Sequence, residues 1–170
     1  MSIDIATDRD LAVLEAQLGR PMRGVVGIAW RCHDGNPGVV ATAPRLPNGT
    51  PFPTSFYLSC PVAIRGCSRL EASGLMNEMN ARLGSDEDLA QAYAEAHRSY
   101  LASRAELGRV SGVGDVPEID DFSAGGMPSR VKCLHALVGH ALAAGPGVNP
   151  LGDETVALLG EFWLEPCLAE

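Results

Sequence analysis

The spacing of apolar and polar positions divides the chain into a series of short elements. In residues 8–18 (DRDLAVLEAQL), Leu11, Leu14 and Leu18 share one stripe of a helix. Thr7 or Asp8 can cap its start, and Gly19 can end it. The β-rich run RGVVGIAWR, residues 23–31, reads as a strand, and GVVATA, residues 38–43, as a second. The short turn CHDGNPG between them predicts an antiparallel hairpin. Residues 44–53 carry four prolines, which excludes a regular element and predicts an ordered loop. TSFYLSC, residues 54–60, reads as a third strand. Pro61 then suits the first turn of a helix over 61–72. Ser73-Gly74 weakens that helix, and the pattern resumes over 75–83.

The longest helical pattern covers residues 86–107, with Leu89, Tyr93, Ala96 and Tyr100 as its apolar stripe. Ser85 with Asp88 fits a capping box at its start. Residues 108–127 are rich in glycine and acidic residues and predict a long loop, a kind of segment that tends to carry function. Residues 128–144 read as a helix with Pro128 in its first turn, and residues 153–165 as a final helix capped by Asp153. Strands come early and helices late, without regular alternation. The pattern therefore predicts one α+β domain over residues 1–170, a small antiparallel three-stranded sheet packed with about five helices.

Composition narrows the classes of function. The chain has 170 residues, 46% of them hydrophobic, enough to bury a core. A formal net charge of −8 disfavours general binding to a phosphate backbone. No run of apolar residues is long enough to cross a bilayer, so no membrane partner is expected. The acidic start MSIDIATDRD lacks the features of a secretory signal, which predicts a cytoplasmic location. Five cysteines, an odd number, argue against a disulfide framework there and leave core filling, metal binding or thiol chemistry.

The strongest local signal is Cys133-Leu-His135-Ala-Leu-Val-Gly-His140. Cys133 and His140 share a helix face but stand about 10.5 Å apart along its axis, so one straight helix cannot clip a metal between them. Other segments must contribute. Cys32 and Cys60 each end a predicted strand, and neighbouring strands can bring both to one sheet edge beside the 128–144 helix, with Asp34 close by. Three thiolates with a histidine or with Asp34 suit zinc or an iron–sulfur cluster. Cys67 and Cys167 read as packing residues, His33 and His97 as surface residues. A second reading makes Cys133 a nucleophile activated by Arg130 and Lys132, with a histidine as base, although no acyl-transfer motif surrounds it. A third is a small anionic or phosphorylated ligand at Gly125, Gly126, Ser129, Arg130 and Lys132, where a glycine turn leads into the predicted helix start. Arg45 and Asn48 of the proline-rich loop can line the pocket beside the cysteines.

Three blocks carry a resemblance: APRLPNGTPFPTSFYLSCP (43–61), LEASGLMNEM (70–79) and SAGGMPSRVKCLHALVGHALAAGPGVNPLGDE (123–154). Together they resemble the bacterial domain of unknown function 501 family over residues 20 to 160. The resemblance implies a family cysteine at Cys32, another at Cys60, and the family's KCLH block at Lys132 to His135. It also implies a departure, since many members carry a second cysteine where this chain has Asp34. No activity comes with the resemblance. Three functions follow as expectations: a metal or iron–sulfur protein using Cys32, Cys60, Cys133 and one of His135, His140 or Asp34; a binder of, or enzyme acting on, a small anionic ligand; and a non-catalytic interaction module with an unidentified protein partner.

Overall fold

Residues 2–167 are described by a computed structural model. Helix α1 spans Asp8–Leu18. Thr7 caps it reciprocally: the Thr7 hydroxyl accepts the Asp10 N–H, and the Asp10 carboxylate accepts the Thr7 N–H at 2.9 Å. Gly19 ends it in the left-handed region, at φ 69°. Asp10 also receives two hydrogen bonds from Arg31, at 2.7 and 3.1 Å, which ties α1 to the sheet.

The sheet has the order β1-β2-β3, all antiparallel, with β1 Val25–Arg31, β2 Pro37–Thr42 and β3 Phe56–Leu58. The expected hairpin is present, and its register shifts at several points along β1. Every residue of the central strand β2 is buried. Its side chains alternate between two faces, as a pleated strand requires. Val40 joins Ile28 and Leu14 beneath α1, whereas Val39 and Ala41 join Phe56, Leu58 and the main core.

Helices α2 (Pro61–Ala72) and α3 (Leu75–Leu83) are separated at Gly74, whose φ of 90° suits glycine and stops a continuous helix. Helix α4 spans Glu87–Val110 and starts one residue beyond the expected cap: Asp86 accepts the Leu89 N–H, while Ser85 bonds back to Ala81. Helices α5 (Leu134–Ala144) and α6 (Pro150–Leu158) complete a set of six α-helices among the described residues, against about five expected. Short 3₁₀ turns occur at Pro117–Ile119 and Phe162–Leu164. Helix α5 lies against the sheet: a Cβ at Gly139 would stand 2.6 Å from the Phe56 carbonyl oxygen. Among the described residues no helix is long and apolar enough to cross a membrane.

Helices α5 and α6 differ most from the sequence pattern. Helix α5 begins at Leu134 rather than at 128. Asn80 takes the backbone of the preceding segment instead, accepting the Val131 N–H at 2.7 Å and donating to the Val131 carbonyl at 3.0 Å. The Met127–Pro128 peptide in that segment is cis. Helix α6 begins at Pro150, capped by Asn149, and ends at Leu158, short of the expected 165. Asp153 lies inside it and accepts the Gly147 N–H at 2.8 Å.

Residues 111–133 are irregular apart from one 3₁₀ turn, yet buried Arg104 of α4 holds them in place. Its guanidinium donates to the carbonyls of Ile119 (2.8 Å), Ser123 (3.1 Å) and Phe122, to that of Pro53 in the proline-rich loop (2.6 Å), and to the Ser55 hydroxyl (3.3 Å). It also lies 5.3 Å from the ring centre of Tyr100, a cation–π contact.

Candidate functional site

The turn joining β1 to β2 is built by Cys32 and Asp34. The Cys32 N–H donates to the Asn36 carbonyl, Gly35 closes the turn at φ 77°, and both Asp34 oxygens accept from Asn36, at 3.0 and 2.8 Å. Cys60 arrives at the same sheet edge because it lies two residues past β3 and immediately precedes α2. Its N–H and that of Ser59 both donate to the Gly38 carbonyl. Cys32 is thereby a neighbour of Cys60 on one hand and of Cys167 on the other. Cys167 lies 3.5 Å from one Asp34 oxygen and 3.8 Å from the other. Donor atoms of Cys32, Asp34 and Cys167 all lie within 4.8 Å of one another.

The three thiols are buried, at 5% exposure for Cys32, 0% for Cys60 and 3% for Cys167, while Asp34 is exposed. Cys60 is the thiol most disposed to ionise. The neighbouring Cys32 thiol favours its charge, burial opposes it, and the N–H groups of Ala63 and Val62 at the start of α2 favour it. Cys32, beside Cys60 and itself buried, is pushed up.

Cys133 and His135 belong to a second cluster, with Glu71 of α2. Cys133 immediately precedes α5. Its side chain makes no cap hydrogen bond, and the Leu134 N–H is capped from outside the helix by Glu71 Oε1 at 2.7 Å. The same oxygen meets His135 Nδ1 at 3.0 Å, and Cys133 Sγ lies 3.9 Å from that nitrogen. Donor atoms of Glu71, Cys133 and His135 also fall within 4.8 Å of one another. The other ring nitrogen, Nε2, is 3.3 Å from the Ser68 hydroxyl, which itself donates to the Ile64 carbonyl. The Cys133 sulfur and the Glu71 carboxylate raise His135 to about 9, against a lowering by partial burial.

His140 is in neither cluster. It is fully buried, stacked on Phe56 with ring centres 5.8 Å apart and set edge-on to Tyr100. Asn149 fixes its tautomer. The Asn149 carbonyl oxygen accepts the Gly152 N–H, so its amide NH₂ faces His140 Nδ1 at 3.2 Å. His140 Nε2 has no hydrogen-bond partner, and burial pushes the group down to about 4.

The glycine turn expected to hold an anion has a different backbone from the one the sequence suggests. With α5 starting at Leu134, the segment from Gly125 to Lys132 precedes the helix rather than forming its first turn. The Arg130 and Lys132 N–H groups donate to the Gly126 and Gly125 carbonyls. Ser129, Arg130 and Lys132 are exposed. Arg45 donates twice to Glu118, at 2.9 and 2.8 Å, and once to the Gly49 carbonyl. His33 is exposed, and His97 is half-buried with Nδ1 2.9 Å from the Ser123 hydroxyl.

Sequence reasoning passed over two residues of these clusters. Cys167 was expected to be packing, and only its closeness to Asp34 in space sets it apart from Cys67, which is core. Glu71 had one faint signal: it follows Ser68 by three residues and so shares its helix face.

The fold is thus an α+β protein with two separate groups of cysteine, histidine and carboxylate side chains. The chain belongs to the family described as Protein of unknown function (DUF501), whose model matches residues 28–157. No curated protein and no solved structure matches it.

Proposed function

We propose that this protein binds a metal ion, zinc above all, at the edge of its sheet, through Cys32, Cys60, Cys167 and Asp34. The observation that carries this reading is the gathering around Cys32 of two further thiols and one carboxylate from three distant parts of the chain. Zinc takes four such donors in a closed tetrahedral set, at about 2.3 Å for sulfur and 2.0–2.2 Å for oxygen. The 4.8 Å span of the Cys32, Asp34 and Cys167 donors suits a single ion, and Cys60, outside that span, would draw in as the fourth ligand. An iron–sulfur cluster binds its thiolates to different irons, around a larger inorganic core, and is the less fitting occupant.

A bound ion would join the hairpin turn, the start of α2 and the segment after the last 3₁₀ turn. Metal binding would then contribute directly to folding free energy. His135, His140 and Cys133 take no part in this centre.

The test is elemental analysis of protein purified under reducing conditions, beside the Cys32→Ser and Cys167→Ser variants. Each variant should lose about one equivalent of zinc relative to wild type. Cys167 follows the last described 3₁₀ turn, and serine keeps the shape of the cysteine side chain at this buried position. Wild-type zinc content in a folded Cys167→Ser protein would overturn the reading.

A further inference from the structure

We propose that Glu71, Cys133 and His135 form a second metal site, open to solvent, which takes a divalent ion such as Zn²⁺ through one carboxylate, one thiolate and one imidazole. It shares no residue with the Cys32 centre, so either site can stand without the other.

The geometry carries this in three ways. First, the three donor atoms face one another within 4.8 Å although they come from two elements, α2 and the start of α5. A nucleophilic triad would place the thiol on one ring nitrogen and the acid on the other. Here the Glu71 oxygen and the Cys133 sulfur both approach Nδ1, at 3.0 and 3.9 Å. Three electron-pair donors directed at one place define a site for a cation.

Second, outer partners already orient the ligands. The Ser68 hydroxyl gives its proton to the Ile64 carbonyl and so presents a lone pair to His135 Nε2. That arrangement holds a proton on Nε2, so Nδ1 is the nitrogen that ligates once an incoming ion displaces the proton it shares with Glu71. The Leu134 N–H fixes the Glu71 carboxylate at 2.7 Å. Metal-binding histidines almost always donate their other N–H in this way, and ligating carboxylates are themselves hydrogen-bonded.

Third, the site is reachable. The His135 and Glu71 side chains are 27% and 25% exposed, and Cys133 is half-buried. Three protein ligands beside solvent leave a fourth position for water or an exchangeable ligand, the pattern of reactive rather than structural zinc.

Two measurements test this. Metal-depleted wild type reloaded with Zn²⁺ alone and desalted should hold about one equivalent more than His135→Gln or Cys133→Ser. Cys167→Ser reports on the other centre and should retain the Glu71 equivalent. Zinc content equal to wild type in folded His135→Gln and Cys133→Ser overturns the proposal and leaves the Cys32 reading intact. The second measurement needs no variant at this site. In ¹⁵N-labelled wild-type protein, the His135 Nδ1 resonance should move on addition of Zn²⁺, and also in the Cys167→Ser background. A resonance unmoved by excess Zn²⁺ overturns the proposal even if the variants fail to fold.

Discussion

The Glu71 carboxylate accepts the backbone N–H of Leu134 at 2.7 Å, so a residue of α2 caps α5. The residue at the cap position, Cys133, leaves that N–H unserved. In metal-free protein, Glu71→Ala should lower stability by about 1 kcal/mol, the usual cost of losing a helix cap. Glu71→Gln keeps an accepting oxygen and should recover most of that loss. Urea titrations of the three proteins check the order.

Arg104 predicts a larger effect. It is 5% exposed and serves four backbone carbonyls at once. Arg104→Met fills much of the space but leaves the Phe122 and Ser123 carbonyls without a donor and those of Pro53 and Ile119 with one fewer, and should cost at least about 3 kcal/mol. Arg104→Lys keeps the charge without the planar fork and should recover only part of it. Equilibrium unfolding gives both values.

Gly139→Ala sets two effects of opposite sign against each other. Alanine gains about 1 kcal/mol in helix propensity over glycine. The new Cβ, however, would stand 2.6 Å from the Phe56 carbonyl oxygen, a backbone atom that cannot turn aside. Moving α5 off the sheet costs about 1–3 kcal/mol. The variant should therefore melt below wild type despite the better helix former.

His140 makes stability depend on pH. Burial holds it down to about 4, below the ordinary 6.5, so the unfolded chain binds a proton more readily than the folded one. The stability this neutral ring contributes is full above pH 6.5. It falls as pH drops through the interval to about 4, by at most about 3 kcal/mol. Chelator-treated wild type should lose more stability between pH 7.5 and 5 than His140→Gln does. Equal losses in chemical denaturation would remove His140 as the cause.

Where local chemistry decides an element, the sequence was legible. Helix α1 follows from its leucine stripe, the Thr7 cap and Gly19, and α2 from Pro61 and the Ser73-Gly74 break. The start of α5 was not legible. Residues 128–133 carry a plausible helical pattern, but Asn80, far away in sequence, holds Val131 by both backbone groups. Asp153 looked like the cap of α6, whereas Asn149 had the better position, with Pro150 at the first helical residue.

The candidate sites divide in the same way. Bringing Cys32, Cys60 and Asp34 to one sheet edge needed only the hairpin and the third strand, both readable from β-rich runs and the turn between the first two. The association of Cys133 and His135 with Glu71, rather than with the other thiols, depends on how α2 packs beside α5. Periodicity along one helix cannot report that packing. Cys167 required the path of the chain after the last helix.

The reach of Arg104 across Pro53 and residues 119–123 has a consequence for motion. Two irregular stretches far apart in the chain share one tether on α4, so displacement of the Arg104 side chain loosens both at once. Their amide protons should exchange with solvent at similar rates, as one cooperative unit whose lifetime is that of α4.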